Sequence, residues 1–177
     1  MKNFWPQYTR EEIIAVSNVL SSAKVNYLFG EIGKKFEREF AEFTGTKYSL
    51  ALTNGTLALD IALRAIQISK GDEVIVTPRS FIASVSCINL LGAKPVFVDI
   101  EKNSQNISPD QISNAITKKT KAIICVHLAG MPCEMTHIMT LAKKHNLFVI
   151  EDCAQAHGAK YKGKSVGSIG HIGAWSF

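Results

Sequence analysis

Two successive carboxylates, Glu151 and Asp152, end an apolar run at 147–150 and are followed by Gln155 and His157. A continuous apolar run with polar flanks is the pattern of a parallel strand covered on both faces. The acidic pair is therefore expected at the carboxyl end of a sheet, the edge at which open α/β sheets bind ligands. A carboxylate there needs a cationic partner, a hydrogen-bond donor or open solvent to stay charged. Thr53, Asn54, Gly55 and Thr56 form a second group. Glycine permits close backbone approach, and a hydroxyl beside free N–H groups at a helix start suits a phosphate. The same four residues also suit an ordinary turn and helix cap. Phe81, after Pro78, Arg79 and Ser80, is the third feature. An aromatic ring there stacks on a flat ligand or packs into the core.

The elements that must carry these residues alternate. Segments 48–53, 73–77, 95–99, 121–127 and 147–152 read as strands, and 57–66, 81–91 and 134–145 as helices. Ser108, Pro109 and Gln111 supply an N-cap, a proline at the first helical position and the third member of a capping box before Ile112 and Ile116. This rhythm predicts an α/β fold in three layers, a mostly parallel sheet with helices on both faces. Upstream, Thr9 and Glu12 have capping-box spacing ahead of Ile13, Val16 and Leu20 on one helical face. Residues 25–33 read as an arm or loop. Phe36, Phe40 and Phe43 predict an amphipathic helix facing a core, closed by Gly45. After Gly158 the glycines predict a turn or short hairpin, and 172–177 one more strand. The series Gly167, Gly170 and Gly173 reads as turn chemistry.

Composition sets the frame. With 177 residues and 46% hydrophobic content the chain can bury a sizeable single core. It has no signal-like stretch in its first 25 residues and no run of about 18 apolar residues, so the cytoplasm is expected and membrane association is not. Cys87, Cys125, Cys133 and Cys153 lack metal-ligand spacing and read as reduced core thiols, with no metal expected. The net charge of +5 comes from scattered lysines without a recognition helix, RNP-like pattern or zinc finger, so no nucleic-acid partner is expected.

A phosphate seat, an aromatic face and a carboxylate at one sheet edge fit a phosphorylated pyridine ring. Its phosphate would rest on the helix start, its face on Phe81 and its protonated nitrogen against Asp152. That pairing lets the ring draw electrons from a carbanion. Neither GxGxxG nor a Walker sequence is present to favour a nucleotide instead.

TNGT at 53–56, PRSFIAS at 78–84, GAKPVFVDI at 92–100, IEDCAQAHGA at 150–159 and GSIGHIGAWSF at 167–177 resemble the DegT/DnrJ/EryC1/StrS family of pyridoxal-phosphate sugar aminotransferases. The opening NYLFGEIGKKFEREFAEFTG resembles that family's amino-terminal arm and first large-domain helix. The resemblance implies a fold-type I large domain, incomplete over 1–177, with the carboxyl-terminal small domain absent. It implies that Gly55 and Thr56 hold the cofactor phosphate, with Ser176 adding a hydroxyl. It further implies that Phe81 stacks on the ring, Asp152 bonds its nitrogen and Gln155 lies near its hydroxyl. The implied cofactor is pyridoxal 5′-phosphate; the implied substrates are L-glutamate and a nucleotide-linked keto-deoxy sugar for surface polysaccharide or O-antigen. The implied assembly, at full length, is a cytoplasmic homodimer.

Family members continue as SFxxxK, placing the Schiff-base lysine beyond Phe177, and Lys160, Lys162 and Lys164 lack that context. That lysine is anchor and proton shuttle, roles worth roughly 10²–10⁴-fold in acid–base transfer, so the 177-residue chain taken literally is expected to be inactive. A helix terminus contributes only about 0.3–1 kcal/mol, up to ~2 when partly buried, whereas micromolar affinity needs about 8 kcal/mol. Weak noncovalent cofactor binding is therefore expected, and the absence of the family's last sheet strand and small domain is expected to leave apolar surface and a strand edge uncovered, with marginal folding or aggregation. Two alternatives remain: a pyridoxamine-phosphate nucleotide-sugar 3-dehydratase with histidine in the lysine position, or a noncatalytic truncated partner protein.

Overall fold

The structure, a computed structural model, describes residues 6–177, which divide into two compact units, 6–43 with 47–51 and 44–46 with 52–177. In the first unit, Thr9 caps helix α1 (Arg10–Ser21) through the reciprocal box its spacing predicts. The Thr9 amide donates to Glu12 Oε2 at 2.6 Å and the Glu12 amide to Thr9 Oγ1 at 3.2 Å. The predicted apolar face exists, but no α1 residue is buried. Helix α2 (Ile32–Thr44) carries the phenylalanine stripe. Phe36 and Phe40 stack at 5.6 Å, and Phe40 and Phe43 lie 5.9 Å apart. The stripe thus packs along itself: Phe36 and Phe43 stay exposed rather than facing a core.

Residues 48–53, expected as a strand, form none. Where a strand would pair with a neighbour, this stretch bonds to Glu37 of α2. Ser49 Oγ donates to the Glu37 carbonyl at 2.6 Å, and the Ala51 amide donates to its Oε1 at 2.8 Å. The residue types of this stretch cannot reveal that the Ala51 amide is claimed by a helix side chain.

The second unit contains the sheet. Its strands are β1 (Glu73–Val76), β2 (Lys94–Phe97), β3 (Thr120–Val126), β4 (Phe148–Asp152) and β7 (Ile172–Ala174), in the order β2-β1-β3-β4-β7 with every pairing parallel. Successive side chains of a strand point to opposite faces, and here both faces are apolar. Val74, Val76, Ala122, Ile124 and Ile150 join one core with α3 (Gly55–Ala65) and α4 (Ala83–Leu90). Ile75, Ile123, Cys125 and Val149 join another with α5 (Pro109–Ala115) and α6 (Met135–His145). That two-sided burial is why the strands read as unbroken apolar runs, and it makes the architecture the three-layer, parallel α/β arrangement expected.

Local signals set several boundaries. Ser108 caps α5, accepting from the Gln111 amide, with Pro109 at its first position. Asn146 ends α6 in the left-handed conformation at φ 54°, a role asparagine fills at low steric cost. The turn expected after Gly158 is an antiparallel hairpin of β5 (Lys160–Tyr161) and β6 (Lys164–Ser165). All four cysteines are free and buried. Burial pushes the Cys87 and Cys153 thiols up to about 11, which keeps them protonated.

Truncation at the centre of the sheet should separate from truncation on α1. Ile150→Ala removes a fully buried side chain and is expected to lower unfolding free energy by about 2–5 kcal/mol. Ile13→Ala, on the exposed face of α1, should change it by less than about 0.5 kcal/mol. Urea unfolding followed by circular dichroism measures both.

Candidate cofactor site

The site is assembled at the carboxyl ends of β1, β3 and β4, where the connecting segments converge. Asp152, the last residue of β4, is 6% exposed. Its Oδ2 accepts the Ser84 hydroxyl at 2.7 Å and its Oδ1 accepts the Ala154 amide at 3.2 Å. Ser84 in turn lies 2.7 Å, Oγ to Oγ, from Ser80. Two neutral donors hold the carboxylate in place and leave lone pairs on both oxygens, which suits it to accept a further proton donor such as a protonated ring nitrogen.

Ser84 was not among the candidate residues. It lies within the PRSFIAS segment, but only the sheet order, which sets β1 and β4 on either side of β3, brings its hydroxyl to Asp152. The same placement locates Phe81, whose carbonyl accepts the Ser84 amide at 3.1 Å as α4 begins. Phe81 is 69% exposed, so the core-packing reading of its ring is excluded and an aromatic face stands open.

Asn54 caps α3, accepting from the Leu57 amide at 2.9 Å, and its carbonyl accepts the Ala58 amide at 3.1 Å. The amides of Gly55 and Thr56, first in the helix, have no acceptor within it. They point out of the helix start with the positive end of its dipole behind them. Against this turn lies Ser176. A Cβ added to Gly55 would fall 2.8 Å from Ser176 Cβ and 3.2 Å from its Oγ, so only glycine allows the two segments to approach this closely. Ser176 follows β7, whose Ala174 pairs with Asp152, so the hydroxyl, the helix start and the carboxylate belong to one continuous contact chain.

Gln155 is exposed three residues beyond Asp152, and its Oε1 accepts the Ala129 amide at 2.7 Å in the turn that follows β3. Its two amide hydrogens have no acceptor among the described residues. All six predicted residues, Gly55, Thr56, Phe81, Asp152, Gln155 and Ser176, therefore lie at this sheet edge or on the segments leading from it. Lys160, Lys162 and Lys164 lie on the β5–β6 hairpin, with Lys162 Nζ bonded to Thr136 Oγ1 at 2.9 Å.

Glu151 meets a different fate from its neighbour. It is fully buried and takes four N–H donors. Oε1 accepts the Ile169 and Gly170 amides at 2.8 and 2.6 Å; Oε2 accepts the Gly167 amide and His127 Nε2, each at 2.9 Å. Burial alone would push its carboxyl up, but His127 and the Gly170 and Gly167 amides together hold it below the usual carboxylate range. Gly167 and Gly170, two of the glycines read as turn chemistry, are therefore also donors to this buried anion.

A parallel α/β chain that gathers free helix-start amides, a hydroxyl, an open aromatic ring and a buried carboxylate at one sheet edge has the groups that an α/β cofactor-binding protein needs. The donor set fits a phosphorylated pyridine: amides and hydroxyl for the phosphate, carboxylate for the ring nitrogen. The chain belongs to the DegT/DnrJ/EryC1/StrS aminotransferase family, whose model matches residues 6–177. It is 48% identical over 178 residues to GDP-perosamine synthase of Escherichia coli O157:H7, covering 98% of this chain and 48% of that protein. It is 47% identical to dTDP-3-amino-3,6-dideoxy-alpha-D-galactopyranose transaminase of Aneurinibacillus thermoaerophilus, covering 97% and 47%. Among solved structures, an aminotransferase from Psychrobacter cryohalolentis superposes with a TM-score of 0.97 at 61% identity, covering 99% of this chain and 44% of that one. A Streptococcus pneumoniae homologue solved in PLP and PMP forms gives 0.92 at 34%, covering 97% and 47%. The chain spans about half the length of the relatives it matches. The cofactor of the family is pyridoxal phosphate.

The closeness of Gly55 to Ser176 makes a direct test. Gly55→Ala should push Ser176 off the helix start and weaken binding of pyridoxine 5′-phosphate by about tenfold or more, the worth of one hydrogen bond to a charged group. Fluorescence titration reads the change, and the far-ultraviolet circular dichroism should be unaltered.

Proposed function

We propose that this chain forms the cofactor-holding part of a pyridoxal-phosphate aminotransferase. In this reading the enzyme moves an amino group from L-glutamate to a keto-deoxy sugar carried on a nucleotide. It works in the cytoplasm as a homodimer and serves surface polysaccharide or O-antigen synthesis. The observation that carries the reading is Asp152: a buried carboxylate, fixed by Ser84 and the Ala154 amide, with acceptor capacity to spare beside an anion-ready helix start. The sugar-nucleotide substrate class is supported by the perosamine synthase and the dTDP-sugar transaminase to which the chain is similar.

Each side chain has a physical task. The Gly55 and Thr56 amides and the Ser176 hydroxyl hold the phosphate. Phe81 covers one face of the ring and excludes water from it. Gln155, with its carbonyl committed to Ala129, offers N–H donors to the ring hydroxyl. Asp152 keeps the ring nitrogen protonated by supplying the anion that the proton needs in a desolvated site. Pyridoxal phosphate, when bound, supplies the electron sink.

Asp152→Ala, placed in a polypeptide of the relatives' length, is expected to lower kcat/KM by at least ~10²-fold, the scale of removing a fixed charge from a developing one. The fold should persist. Nitrogen transfer from ¹⁵N-labelled L-glutamate to GDP-, dTDP- and UDP-linked keto sugars measures it. Undiminished transfer by the variant would refute the role given to Asp152, and no transfer by the parent to any of the three would refute the substrate class.

A further inference from the structure

The donor cage around Glu151 does more than neutralise a buried charge. Residues 167–170 wrap the carboxylate from two sides, and the same loop is packed against residues 173–175. A Cβ on Gly173 would meet the Gly167 carbonyl at 2.6 Å, and one on Gly167 would meet the Trp175 indole at 2.6 Å. The Trp175 carbonyl and the Ser176 side chain are then the groups that press on Gly55. An unbroken line of contacts leads from the Glu151 carboxylate through 167–170 and Trp175 to the phosphate seat. Glu151 itself points away from that seat, since it neighbours Asp152 on one strand and successive side chains take opposite faces.

The His127 imidazole locks the chemistry of this cage. Its Nδ1 accepts the Cys133 amide at 3.0 Å, so the proton resides on Nε2 and is donated to Glu151. His127, Glu151 and Cys153 bring possible metal-ligand atoms within 4.8 Å of one another, but Nε2 and both carboxylate oxygens are already committed to N–H bonds. An amide at position 151 cannot replace the carboxylate. Whichever way glutamine turned, its NH₂ group would face two N–H donors. The His127 ring could not relieve the conflict by moving its proton, because Nδ1 already faces the Cys133 N–H.

We infer that Glu151, bonded to His127, is a positioning residue: it sets the 167–170 loop and thereby holds Ser176 at the start of α3, so that the grip on the cofactor phosphate depends on it. This rests on the cofactor reading above. Its signature is selective. Loosening the loop weakens recognition of the phosphate and leaves recognition of the ring, which depends on Asp152 and Phe81, largely as it was.

The test compares pyridoxine 5′-phosphate with pyridoxine, neither of which can bond covalently to a lysine, by fluorescence titration of this chain, of Glu151→Gln and of Gly173→Ala. Gly173→Ala enters the same loop from its other side. Ile112→Ala, a core truncation on α5, serves as a variant that loses stability without altering any residue in the line of contacts. The parent is expected to prefer the phosphorylated ligand. Glu151→Gln and Gly173→Ala should each lower that preference about tenfold, the loss of roughly one charge-assisted hydrogen bond, while Ile112→Ala keeps it. An unchanged preference in a folded Glu151→Gln or Gly173→Ala protein overturns the inference, as does an equal loss in Ile112→Ala. A parent protein with no preference at all would instead overturn the cofactor reading on which the inference stands.

Discussion

The constraint on which the site depends is the alternation of a central strand carrying two acids in succession. Neighbouring residues of β4 cannot share a face, so Glu151 is directed into one layer and Asp152 into the other. A buried carboxylate without compensation is strongly destabilising, by about 3–5 kcal/mol when a partner is removed. Each acid must therefore recruit its own donors, and it recruits from the layer it enters. Glu151 gathers an imidazole and three backbone amides and is saturated. Asp152 gathers one hydroxyl and one amide and is not. The two acids thus differ in remaining acceptor capacity, and the chemical role proposed for Asp152 rests on that difference.

Much of the fold was legible because its signals are local or periodic. Apolar runs with two-sided burial identified β1, β3 and β4, and the side chains of Thr9 and Ser108 marked the helix starts they cap. Where the sequence misled, a nonlocal partner had overridden the pattern. Residues 48–53 read as a strand, yet the Ser49 hydroxyl and the Ala51 amide bond to Glu37 of α2. The phenylalanine stripe of α2 has the period of a buried face, but period reports only that the apolar side chains are aligned, not that anything covers them. For Phe81 the two readings divided on burial alone, which a single sequence does not encode.

The candidate site was legible in its charged and glycine residues and illegible in its neutral supports. Asp152 and Gly55 stand out because each is costly or permissive in a way chemistry explains. Ser84 does not: a serine near a helix start has many ordinary uses, and its bond to Asp152 follows only from the order β1-β3-β4. Gly167, Gly170 and Gly173 were visible as glycines, and a turn explains glycine. What a turn does not explain is why the amides at 167, 169 and 170 converge, and the answer lies in Glu151, on a strand formed earlier in the chain.

The proposed phosphate seat joins parts of the chain far apart in sequence: α3 precedes every strand of the sheet, and Ser176 follows the last. Loop closure between such distant segments is entropically costly, and a single glycine-to-serine contact cannot offset it. The closure is instead secured by β7, which pairs along β4 and is drawn in by the loop that Glu151 holds. The helix start needs no such help, since Asn54 caps it locally. One half of the seat is thus preformed by its own turn, while the other exists only when the sheet edge is complete. The grip on an anion proposed for Gly55 and Thr56 is accordingly a property of the whole α/β layer and not of the TNGT segment alone.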